Sequence, residues 1–105
     1  MAGKGKRDTA QRRMTDSELR QSFIERVVIC DQLDGVAVRV LFYLSGMLNF
    51  DEHVHVPQAK IAAEMLRDQG HISRAIRMLV ESGALIPGPE GTRGSRWRLN
   101  PDFGR

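Results

Sequence analysis

The chain has 105 residues, 41% hydrophobic and 28% charged, which suffices for one core and is too few for two of ordinary size. No apolar run approaches the roughly 18–20 residues of a membrane span, no apolar stretch of a secretory signal follows the basic start, and the single Cys30 excludes an intrachain disulfide or a multi-cysteine zinc site. The net charge of +3 averages two basic ends and an acidic middle: five basic side chains against Asp8 over residues 1–13, five against nine acids over 14–68, and six arginines against three acids over 69–105.

Residues 1–14 combine glycine with positive charge and have no apolar period, so they read as a flexible basic arm. Thr15 and Glu18 have capping-box spacing, and Leu19, Phe23, Val27 and Cys30 follow at helical intervals, predicting a helix from about 16 to 31. The β-branched run Val27-Val28-Ile29 is compatible with a strand instead. Asp34 caps a second expected helix, to about Leu48, in which Ala37, Val40, Leu41, Leu44, Met47 and Leu48 repeat and Arg39 is the one charge. His53 to Val56 alternates as a short strand.

Pro57 suits the first position of a helix to about Met65, with Ile61, Ala62 and Met65 on one face. Asp68 has N-cap chemistry for a helix from Gln69 to Ser82, whose buried stripe is Ile72, Ala75, Ile76 and Leu79 and whose end is marked by Gly83. Ala84 to Ile86 and Ser95 to Leu99 read as two strands joined by a Pro/Gly loop. The fold class is therefore mainly α with a small β-hairpin (α+β), a winged helix-turn-helix with one extra N-terminal helix. Its single domain spans 15–105, with the wing at about 84–99.

In such an arrangement the second helix of the pair fits the major groove of B-DNA and offers outward side chains to base edges. Here those side chains are Gln69, Gly70, His71, Ser73, Arg74 and Arg77, with no acid between Asp68 and Glu81. Arginine can pair bidentately with guanine and glutamine with adenine, and Gly70 leaves room for a close backbone approach. Lys60, Arg67, Thr92, Arg93, Ser95, Arg96 and Arg98 are expected at the DNA backbone or wing contacts. Strand alternation puts Trp97 opposite Arg96 and Arg98, favouring core packing over stacking on an unpaired base.

The stretch from about Gly35 to Asn100 resembles the winged-helix domains of bacterial regulators of the MarR type. Gln58-Ala59-Lys60-Ile61-Ala62-Ala63-Glu64-Met65 is similar to their first helix-turn-helix element, and the run from Ile72 to Ile86 to the recognition helix entering the wing. The ending Arg96-Trp97-Arg98-Leu99-Asn100-Pro101 is similar to the wing closure of plasmid replication initiators of Gram-positive bacteria. Leu66-Arg67-Asp68 departs from the Gly-Ile/Val-Ser turn usual before the recognition helix.

The resemblance implies a sequence-specific binder of double-stranded DNA, a cytoplasmic, nucleoid-associated regulator that represses by covering a promoter. It would act as a homodimer on an inverted repeat, with the 16–31 helix as dimer element or packed on its own core. Alternatives are a plasmid replication or maintenance protein at origin DNA, or a winged helix used as a protein-interaction module or inhibitor. Asp51-Glu52-His53-Val54-His55 holds zinc or nickel ligand types but reads as an edge strand, and Cys30 reads as a small core residue rather than a redox thiol. No nucleophile, phosphate loop or spaced carboxylate pair stands out, so neither catalysis nor a cofactor or metal is expected.

Overall fold

The computed structural model describes residues 15–90 and 94–104. The expected basic arm at 1–14 lies outside them, as do Thr92 and Arg93 of the loop before the last strand. The chain runs through helix α1 (Asp16–Ile29), helix α2 (Gly35–Ser45), strand β1 (Val54–His55), helix α3 (Gln58–Met65), helix α4 (Gln69–Glu81), strand β2 (Leu85–Pro87) and strand β3 (Arg96–Leu99).

The capping box forms: Glu18 N donates to Thr15 Oγ1 at 3.1 Å, and Thr15 N donates to Glu18 Oε1 at 2.8 Å. With the helix nucleated there, the β-branched run stays helical, because Val27 completes a buried stripe with Phe23. The helix ends two residues before the expected 31, where Cys30 turns extended. Val28 and Ile29 point away from the core and are 66% and 80% exposed.

Two arginines fasten α1 to the rest of the chain. Arg20 donates to Leu48 O at 2.8 Å and to Ser45 O, at the end of α2 where carbonyls lack helical partners. Its guanidinium also lies 5.9 Å from the centre of the Phe50 ring. Arg26 donates to Pro101 O at 2.8 Å, to Phe103 O and to Ser22 Oγ. Between them the Phe23 ring stands edge-on to Phe50 at 5.7 Å and tilted against Phe103 at 5.8 Å. The Leu19–Phe23–Val27 face thus packs on the chain's own core, and the expectation that it serves as dimer element loses its apolar stripe.

Asp34 caps α2 by accepting from Ala37 N at 2.8 Å. Ala37, Val40, Leu41 and Leu44 are fully buried, so this is the central helix. It stops at Ser45 rather than Leu48: Met47 N and Leu48 N both return to Leu44 O, and Arg20 satisfies the carbonyls released. Pro57 is the N-cap of α3 rather than its first helical residue. Asp68 caps α4 through Gly70 N at 3.0 Å. Helix α4 ends at Glu81 instead of Ser82, and Gly83 takes the left-handed φ of 88° that lets Ala84 N bond back to Leu79 O.

The β structure is larger than the expected hairpin. Strand β3 lies between β1 and β2 in a three-stranded antiparallel sheet of order β1-β3-β2. Val54 faces Trp97 and His55 faces Arg96, while Leu85, Ile86 and Pro87 face Leu99, Arg98 and Trp97. Pro87 is tolerated because β2 is an edge strand. Asn100 closes the sheet, donating from Nδ2 to Gly83 O at 2.8 Å and from its backbone to Ala84 O at 3.1 Å.

Candidate nucleic-acid interface

Helix α4 places the residues with recognition chemistry. Its buried stripe (Ile72, Ala75, Ile76, Leu79) fixes the roll of the helix against α2 and α3. At about 100° per residue, the face directly opposite carries Gly70, Arg74 and Arg77. Gln69, His71, Arg74 and Arg77 are all exposed, and none of their side chains makes a hydrogen bond or ion pair with another described residue. Lys60 on α3 and Arg96 on β3 are exposed and equally without partners among the described residues.

Two residues expected at base edges have other duties. Ser73 is half-buried and its hydroxyl donates to Gln58 Oε1 at 2.5 Å, tying the first turn of α3 to α4. A side chain held this way braces the helix pair instead of reaching outward. Gly70 abuts the helix cap: its N–H donates to the Asp68 carboxylate, and a Cβ there would stand 2.9 Å from that flexible group, which would have to shift.

The turn between the two helices resolves the departure noted in the sequence. Leu66 adopts the left-handed conformation (φ 55°, ψ 45°) that ends α3, and Arg67 N returns to Ala62 O at 2.9 Å. Leu66 fills a position suited to glycine and leaves its side chain 91% exposed. Arg67 is half-buried beside α4. It shares a cavity of about 330 Å³ with Asp34, His71 and Arg74, a feature no local sequence pattern announces.

On the sheet, Arg98 is half-buried and donates from Nη1 to Phe50 O at 2.8 Å, which joins β3 to the loop before β1. Ser95 is half-buried with φ 54°, and its carbonyl accepts from Val56 N at 2.8 Å. Trp97 is 0% exposed, which rules out stacking on an unpaired base. Its indole N–H and His53 Nε2 are buried without a hydrogen-bond partner among the described residues. His53 is half-buried while His55 is exposed, and no three of His, Cys, Asp and Glu come together to hold a metal among the described residues. Cys30 is a free, half-buried thiol packed against the core.

The described residues include no helix long and apolar enough to cross a membrane. Compared with known proteins, the chain matches no family model, no curated protein and no solved structure.

Proposed function

We propose that the chain is a winged helix-turn-helix that binds a specific site on double-stranded DNA and represses transcription by covering a promoter. The observation that carries this reading is the outward face of α4. Arg74 and Arg77 are exposed with no partner among the described residues, next to Gln69 and His71, on a helix with no acid before Glu81. Arginines left without carboxylates suit phosphates and guanine edges. The helix order and the β1-β3-β2 sheet support this reading, in which α4 would enter the major groove and strands β2 and β3 would flank the wing.

One such unit covers a short site, so pairing on an inverted repeat is the route to specificity. That pairing has to use surface other than the Leu19–Phe23–Val27 stripe, which the core occupies. The Arg-Trp-Arg-Leu-Asn-Pro ending does not favour an origin-binding role. Trp97 is buried and Asn100 closes the sheet onto Gly83, so that pattern serves the architecture.

Selection of bound duplexes from random DNA, followed by affinity measured against salt, tests the proposal. A palindromic motif is expected. Four to five phosphate contacts should give log K a slope against log salt of about −4 per protomer. Binding that ignores salt would overturn the reading.

A further inference from the structure

The cavity of about 330 Å³ beside α4 sits where the turn after α3 and the first three turns of α4 meet the start of α2. Arg67 enters it from the turn, and His71 and Arg74 enter it from α4, three residues apart and so on one flank. Val36 and Met78 contribute an apolar wall. The one acid in the lining, Asp34, holds the N-cap of α2 through Ala37 N and makes no ion pair with either arginine. The three nitrogen-bearing side chains make no hydrogen bond or ion pair with any described residue. Two guanidinium groups and an imidazole therefore line a hollow whose one carboxylate, Asp34, is engaged by the α2 cap and pairs with none of them, and the chemistry that suits them is an oxyanion.

The geometry points to a backbone phosphodiester of duplex DNA as that oxyanion, seated by Arg67, His71 and Arg74 beside the base pairs that α4 reads. This assignment rests on the DNA-binding reading and divides its residues differently. Base edges lie on the floor of a major groove about 8.5 Å deep, where only a convex surface reaches them, whereas the phosphates form the raised rim. A concave pocket complements the rim, and the convex face of α4 complements the floor. Of the residues expected to read bases, His71 and Arg74 thus become positioning residues, and reading falls to Gln69 and Arg77. Arg67, which departs from the usual turn residue, gains a purpose: it supplies the side chain of the site that comes from outside α4.

The test uses the full chain, the duplex it selects most strongly from a random pool, and that duplex with single base pairs changed. Affinity is measured over a salt series for Arg67→Gln, Arg74→Gln and Arg77→Gln, with thermal melting to verify that each variant is folded. Arg67→Gln and Arg74→Gln are expected each to make the salt slope shallower by about 1 and to weaken selected and altered duplexes by the same factor. Arg77→Gln should instead reduce discrimination between them by about tenfold or more. A single neutral methylphosphonate at the seated phosphate should abolish the further effect of Arg67→Gln and leave that of Arg77→Gln intact. Loss of discrimination in Arg67→Gln or Arg74→Gln matching that of Arg77→Gln, or an unchanged salt slope in both, overturns the phosphate seat while leaving DNA binding standing. Salt-indifferent binding by the unsubstituted chain overturns the DNA reading, and the seat with it.

Discussion

Helices α1 and α4 carry the same cation on similar scaffolds and put it to opposite use. On α1, Arg20 and Arg26 turn inward and donate to main-chain carbonyls of Ser45, Leu48, Pro101 and Phe103. On α4, Arg74 and Arg77 turn outward and meet no described partner. A guanidinium that satisfies the carbonyls at a helix end is part of the fold, and one left in water is available to something else. The difference is invisible to composition and charge, since all four count alike in the net +3.

Substitutions that separate these two roles follow in order of size. Phe23→Ala empties the space between the Phe50 and Phe103 rings and should cost about 3–5 kcal/mol, read from the urea midpoint. Arg26→Ala should cost about 2 kcal/mol in the same experiment, because it strips hydrogen bonds from carbonyls near the end of the chain. The salt slope of DNA binding should stay unchanged in Arg26→Ala, and a shallower slope would break the division between the helices. Ser73→Ala should cost about 1 kcal/mol by loss of the Gln58 contact without altering the selected DNA sequence. Changed base preference would return Ser73 to the reading face. Leu66→Gly should raise stability by about 0.5 kcal/mol, since it relieves a left-handed leucine, partly offset by the freedom glycine gives the unfolded chain. A fall in melting temperature would contradict that sign.

What the sequence discloses is local. The Thr15–Glu18 box, the Asp34 and Asp68 caps and the Gly83 ending each depend on residues within a turn or two, and all four form. The buried stripe of α4 follows from spacing alone and is found as expected. Long-range pairings escape such reasoning. Strand β1 is two residues long and acquires its identity from β3, more than 40 residues later, so alternation at His53–Val56 could not indicate its partner. The carbonyls left by the early stop of α2 are met by Arg20, which lies before it in the chain. Ser73 has the chemistry of a base reader, and only the position of Gln58 fifteen residues earlier shows that it is engaged. The Arg67–His71–Arg74 group is local in sequence, but the cavity beside it is closed by Asp34 and Val36, more than 30 residues earlier, which spacing does not announce.

The fastening of α1 bears on the order in which the molecule assembles. Its contacts fall into two groups by distance along the chain. Arg20 reaches carbonyls 25 and 28 residues ahead, whereas Arg26 reaches carbonyls 75 and 77 residues ahead. During synthesis from the N-terminus, the first half of α1 can dock as soon as α2 has emerged. The second half, with one side of Phe23, waits for Phe103. Helix α1 is thus fully secured only once residues 101–103 have been made, and until then part of its apolar face is bare to water and to neighbouring chains.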